Sequence, residues 1–392
     1  MRGLDWFVFC VADVQTGFGP FVSVYLTTQK WTQTDIGLVL SVAGIVALAA
    51  QVPGGMLVDA ARSERLVAGI SVTVIALAAL TYAAFPIFPA ILAAATFHAM
   101  ASCVLGPAIA AIALGLVGHA LIGERLGRNA RFASIGNGCA AALMGACGYF
   151  FSARSVFIVT AILLMPTLFA LRRIAPREIV PERAHGGPTA PRKKPEPMLQ
   201  LFRERSLLIL AGCVALFHLA NAAMLPLMGS ALTGRSSDWA PVMIAICIVV
   251  PQIVVALIAP WAGRQASVWG RRPLLLLGFS ALAVRGIAFA TVTDPALVIA
   301  AQIFDGVSAV ALGVMVPLIV ADVTRGSGRF NSALGIVGMI AGVGGAMSTT
   351  LAGAVSDHLG SHFAFLGLGT VALLAFATVL LFLPETKPRE AQ

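Results

Sequence analysis

Five side chains able to bind a proton, an ion or a polar cargo sit inside otherwise apolar stretches of this sequence: Asp13, His98, Asn221, Arg285 and Asp305. Placing an ionisable group in such a stretch costs about 2.5–3.5 kcal/mol on insertion scales, so each position is by default a site hypothesis. Asp13, His98 and Asp305 are groups whose protonation changes readily in partly dry surroundings. His218 shares a helix face with Asn221 at i, i+3. Gln15, Thr16, Ser102, Gln252 and Gln302 are weaker candidates, because a lone amide or hydroxyl in a helical bundle often serves only to link helices.

The elements that must hold these groups follow from composition. Of the 392 residues, 59% are hydrophobic and 11% charged, whereas soluble domains carry about 25% charge. Such a chain cannot cover a globular surface with polar side chains, and reads as an integral membrane protein. Twelve spans at about 20 apolar residues each would consume nearly the whole apolar inventory and leave no room for a soluble catalytic domain. Apolar runs bounded by charge or by Pro and Gly give 6–28, 36–57, 66–84, 88–119, 130–151, 153–171, 206–232, 240–262, 274–292, 296–321, 332–355 and 363–383. The fold class is therefore all-α. A bundle over 1–171 and a second over 206–392 with a short tail flank a linker at 172–205, which is rich in Pro and charge and reads as flexible. The N-terminus lacks the small-residue site of a cleaved signal and is expected to be an uncleaved first span.

Orientation comes from the basic residues. Of 26 Lys and Arg, 22 fall in one set of alternating connections, three (Lys30, Arg154, Arg235) in the other, and Arg285 lies within a span. The positive-inside rule makes the richer side cytoplasmic, with both termini and the linker on it, in a multi-pass cell membrane protein. The net charge of +9 thus reflects topology and calls for no nucleic-acid partner; the basic linker is expected to rest on the membrane surface. The six cysteines, all in apolar runs, read as core residues without disulfides or a metal.

The two halves repeat each other. Phe9-Cys10-Val11-Ala12-Asp13 aligns with Phe217-His218-Leu219-Ala220-Asn221 at a shift of 208, and Gly55 with Gly263 at the same shift. Phe97 to Gly106 aligns with Phe304 to Gly313 at 207, and Gly127-Arg128 with Gly328-Arg329 at 201. Asp13 thereby corresponds to Asn221, and His98 to Asp305. After the second span, Gly55-Met56-Leu57-Val58-Asp59 keeps one half of a loop pattern; after the eighth, Gly270-Arg271-Arg272 keeps the other half, with Ser267 where the first loop has Asp59. On these motifs the chain resembles the major facilitator superfamily over essentially its full length, and within it small proton-coupled exporters. The Gly-Pro pair of the drug/proton antiporter signature is not present at Gly136-Asn137-Gly138-Cys139; Gly106-Pro107 occurs one span earlier.

The resemblance implies two pseudo-symmetric six-helix bundles rocking around a central site lined by the first, fourth, seventh and tenth spans, which carry Asp13, His98, Asn221 and Asp305. It also implies that Asp59 caps a neighbouring helix and pairs with an arginine (Arg128, Arg131 or Arg62) in a cytoplasmic gate to which Arg271 is assigned too. At roughly 1.5 Å per residue, His98 and Asp305 lie about 14–15 Å deep and Arg285 about 10 Å, within a turn of Asp305, so an Arg285–Asp305 pair is expected. Purely structural readings stand beside these: Asp305 as a partner of Arg285 alone, Asp13 as a cap or hinge before Gly17, Gly19 and Pro20, His98 as a packing histidine. The glycines of the eleventh span read as packing, Pro107, Pro226, Pro251 and Pro317 as kinks, and Asp322 and Asp357 as wet span ends.

No nucleotide-binding motif is visible, so a gradient supplies the energy and no cofactor is called for. The reading is a monomeric secondary transporter of a small solute, working in a lipid bilayer by alternating access. Proton-coupled export of a drug-like compound or metabolite comes first, with Phe9, Phe18, Phe97, Phe217 and Phe304 as apolar walls. Uptake of an organic acid or sugar is the alternative. A membrane-embedded enzyme is disfavoured because no nucleophile–His–acid set is visible; a passive channel would show conductance without saturation.

Overall fold

The computed structural model of the protein describes residues 2–16, 21–187, 197–235, 240–292 and 294–387. Ten helices among them are long and apolar enough to cross a membrane. Two features raise this to twelve spans. The helical stretch Phe88–Phe150 is broken at Gly118, whose φ of 67° and ψ of −179° are not helical, so it holds two spans in succession. The first span is carried by Arg2–Thr16 and Phe21–Thr28, each too short to be counted alone.

Local sequence explains where helices begin. Thr32 caps Gln33–Ala60 by accepting from the Asp35 amide at 3.1 Å while its own hydroxyl donates to the Asp35 carboxylate at 2.7 Å. Asp294 accepts from Ala296 and Leu297 at the start of Pro295–Val310, where Pro295 gives up no hydrogen bond. Two connections shrink to a single glycine, Gly270 (φ 98°) and Gly360 (φ 93°), because only glycine takes that backbone conformation without strain. The stretch 120–129, which falls between the expected spans 88–119 and 130–151, is helical directly after Gly118.

Contacts divide the chain into two compact units that follow the sequence halves except for two segments. The first unit comprises Met1–Ala120, Phe132–Pro195 and Thr324–Gly335; the second comprises Leu121–Arg131, Glu196–Val323 and Ile336–Gln392. Glycines explain the borrowed segments. In the first unit, a Cβ on Gly55 would collide with the backbone of Asn331, and one on Gly335 with that of Gln51. In the second, Gly123 and Gly263 press on each other's carbonyls and Gly127 on that of Ala259. These small-residue contacts let backbones approach closely where the hydrophobic effect supplies no drive.

The linker departs from the flexible segment expected. Residues 176–187 pack against the first unit: Val180 N donates to the Gly115 carbonyl at 3.1 Å, and Ile179 and Ala184 are buried. The reason lies in its residues. Pro181 starts a single helical turn, Pro181–Ala184, and Gly186 at φ 73° ends it, turning the apolar side chains inward. Residues 188–196 lie outside the described part, and Met198–Leu201 begins the second unit.

Candidate functional site

In the first unit, Asp13 lies on Arg2–Thr16 and is 5% exposed; its Oδ1 is buried without a hydrogen-bond partner among the described residues. Gly136 seats this helix, since a Cβ there would meet the Phe9 carbonyl and Ala12. Two residues beyond Asp13, the Gln15 carbonyl oxygen lies 3.2 Å from His98 Nε2. A carbonyl only accepts, so this contact puts a proton on Nε2. The Gln15 amide in turn donates to the Ser102 carbonyl at 3.3 Å, one turn along the fourth span from His98. Gln15, His98 and Ser102 thus hold the first and fourth spans together, two residues beyond Asp13. Of the expected kink, Gly17, Gly19 and Pro20 lie outside the described residues, as does the side chain of Thr16.

The second unit holds a charged cluster. Arg285, on Arg271–Thr291, is 1% exposed. Its Nη1 donates to Asp305 Oδ1 at 2.5 Å and to Asn221 Oδ1 at 2.7 Å, and its guanidinium lies 5.1 Å from the Phe289 ring centre. Neighbouring glycines set this geometry. A Cβ on Gly286 would run into Gly369, and one on Gly306 into Val254 and the Pro251 carbonyl, so both charged residues flank a point where their helix is pressed on another. Asp305 keeps a 24% exposed side chain. A polar species can therefore reach the carboxylate while the guanidinium stays sealed. Gln302, fully buried, lies one turn before Gly306 on the same helix. Past Ser308, which bonds back to the Asp305 carbonyl at 2.9 Å, Ala311–Met315 winds as a π-helix ahead of Pro317, which has no amide hydrogen to continue the ladder.

Asp59 ends Gln33–Ala60 and acts as a borrowed N-cap. Its Oδ1 accepts from Asn331 N (3.1 Å) and Nδ2 (2.9 Å), and its Oδ2 from Ser332 N (2.7 Å) and Oγ (2.5 Å), at the start of Phe330–Leu359. The capping part of the expectation for Asp59 is thus seen at this helix start. Arg128 is exposed on the helix after Gly118, in the second unit. Arg271 is occupied too. It pairs with Asp322 at 2.8 Å, and Glu385 accepts from the Arg271 and Arg272 amides at 2.9 and 3.0 Å. Asp322, expected to be wet, is 4% exposed because Arg271 covers it.

The family model described as Major Facilitator Superfamily matches residues 6–234 and 210–392. The chain belongs to the major facilitator superfamily. Two uncharacterized MFS-type transporters of Mycobacterium tuberculosis, from strains CDC 1551 / Oshkosh and ATCC 25618 / H37Rv, are each 37% identical over 98% of this chain and 93% of their own length. In fold, the chain is similar to the MFS proton:xylose symporter XylE bound to 6-bromo-6-deoxy-D-glucose, with a TM-score of 0.71 over 98% of this chain and 95% of that one at 15% identity. This member of the superfamily is a secondary transporter of a small substrate and not an enzyme.

Within the family frame, the loop pattern has a mechanical meaning. Gly55 and Asp59 are one turn apart on the same helix face, so the glycine admits the start of Phe330–Leu359 and the carboxylate caps it. In the second half Gly263 keeps the close approach, but Ser267 turns back to the Arg264 carbonyl at 2.7 Å and caps nothing. Sequence reasoning missed several partners of this transporter's charged groups: Asn331 and Ser332, Glu385, and the buried pair Glu64–His185 at 3.0 Å. The available signal was a polar residue directly at a helix start, as with Asn331-Ser332 and Glu64. Of the expected apolar walls, Phe217 is 2% exposed and packs on Phe279 in the interior of its unit, so it lines nothing, and Phe18 lies outside the described residues.

Proposed function

We propose that this transporter couples proton movement to export of a drug-like compound or metabolite, with Asp305 and Asp13 as the proton-carrying groups. The observation that carries the reading is the Arg285–Asp305 pair, in which the carboxylate is reachable and the guanidinium is not. Protonating Asp305 removes the charge that neutralises Arg285, which leaves a buried cation held by Asn221 alone. Breaking a buried pair from one side costs about 3–5 kcal/mol, ample to bias a two-state carrier. Asp13, with an unpartnered buried oxygen, is the corresponding acid of the first unit, and His98 and Asn221 complete the polar set. Export is favoured by Phe97 and Phe304, exposed rings next in sequence to His98 and Asp305.

Uptake of an organic acid is the second reading, favoured by Arg285, whose guanidinium would receive a carboxylate once Asp305 lets go. Orientation with both termini cytoplasmic is part of the proposal. The test is flux in proteoliposomes under an imposed pH gradient. Asp305→Asn should abolish uphill transport while exchange persists; full uphill transport by this variant would remove Asp305 from the proton path. The sign of gradient that concentrates solute separates export from uptake.

A further inference from the structure

We propose that a groove on the first unit, between Glu64–Ala84 and the sixth span, is a binding site for one anionic phospholipid. The groove has a volume of about 540 Å³, within the roughly 300–1,000 Å³ of small-molecule sites. Gly69, Ile70 and Thr73 line one wall and Leu168 and Leu171 the other, while Arg65 and Arg172 stand at the mouth. From Ser63 to Val74 the lining helix descends about 16 Å at 1.5 Å per residue. That is half of a hydrocarbon core about 30 Å thick, the depth of one leaflet.

The chemistry of mouth and wall differs in the way an amphiphile differs along its length. Inside, the one hydroxyl is satisfied, since Thr73 Oγ1 donates to the Gly69 carbonyl at 2.8 Å, so the interior offers only apolar contact to a chain. Gly69 makes the floor, and a Cβ there would touch Leu171 at 3.3 Å. At the mouth, neither arginine meets a carboxylate among the described residues, and Arg65 Nε is buried with no hydrogen-bond partner. The nearest acid in sequence, Glu64, is committed to His185 at 3.0 Å. Two guanidiniums without counter-ions, at the end of the groove shared with the arginine-rich connections, fit a phosphodiester that accepts charge-assisted hydrogen bonds while its acyl chain fills the groove. An anionic headgroup supplies the matching net charge.

The test uses the purified, delipidated full chain, titrated with dioleoyl phosphatidylglycerol or dioleoyl phosphatidylcholine and read by native mass spectrometry and by melting. One phosphatidylglycerol should bind saturably and in preference to phosphatidylcholine. Each arginine near a headgroup is worth about fivefold, so R65A/R172A should weaken phosphatidylglycerol binding roughly thirtyfold, while Arg177→Ala, exposed and outside the groove, should leave it unchanged. Gly69→Leu keeps both guanidiniums but fills the floor and should lose the bound lipid; Ile70→Trp, on the 55% exposed rim, reads the same blockage should the first variant melt early. Equal binding of the two lipids, a preference that survives R65A/R172A, normal binding in the blocked variants, or competition by glycerol 3-phosphate as strong as by the lipid would each overturn the site.

Discussion

Arg285 and Asp13 are buried almost alike, at 1% and 5% exposure, and pose opposite electrostatic problems. Arg285 has both Asp305 and Asn221 as acceptors; Asp13 Oδ1 has no donor among the described residues. Neutralising the two carboxylates should therefore separate stability from transport. Asp13→Asn removes a buried carboxylate whose Oδ1 has no donor among the described residues and should leave the melting temperature unchanged or raised, while uphill transport is lost. Asp305→Asn strands the guanidinium and should lower stability by about 3 kcal/mol, the low end of the range for a broken buried pair because its side chain is 24% exposed. Melting of the two purified variants checks this, and a larger loss in Asp13→Asn would reverse the assignment. The Arg285–Asp305 contact was legible in the sequence because depth in a span follows from counting residues at a fixed rise. The contact to Asn221 was not. It depends on which face of the seventh span turns toward the ninth, and a helix apolar all round carries no periodic signal for that.

At the level of elements, the sequence pattern placed most span ends to within a few residues, since a run of about 20 apolar side chains has no other stable use in a bilayer. Its failures fell in the connections. Residues 120–129 fall outside the expected spans because they carry charge, yet the backbone turns at Gly118 and the charged stretch is a helix that packs through Gly123 and Gly127. Residues 176–187 read as flexible for the same reason, although the spacing of Ile179 and Ala184 buries both. Asp59 shows how one end of an element depends on another. Four donors at the start of Phe330–Leu359 converge on its carboxylate, and Gly326 N and Phe330 N, just ahead of them, reach the linker carbonyls of Gly186 and His185. Asp59→Ala strips the cap and should cost about 1–2 kcal/mol. Hydrogen exchange should accelerate at the amides of Asn331 and Ser332 first. Protection that stays at the wild-type level there would mean that the linker carbonyls hold this helix start without the carboxylate.

Over the whole molecule, the distribution of basic residues makes a claim that no single helix makes. Lys30, Arg154 and Arg235 stand in the connections on one side and 22 of the remaining basic residues on the other, and an asymmetry of that size fixes how a multi-pass chain inserts. The charge on the rich side is also partly spent within the fold: Arg271 covers Asp322, and Arg125 donates to Asn129 at 2.8 Å through Nε. Arginines that have partners in the folded state were free during insertion, so the rule acts on the unfolded chain and the pairs form later. Orientation can therefore be tested without disturbing the charged clusters. In a background where the six cysteines are replaced, Glu204→Cys and Lys30→Cys each put a thiol at an exposed position on opposite sides. An impermeant maleimide should label Lys30→Cys in intact cells and Glu204→Cys only in inverted vesicles. The reverse pattern would turn the chain over in the membrane, and with it the sign assigned to proton-coupled flux, while the internal geometry of both clusters would stand as described.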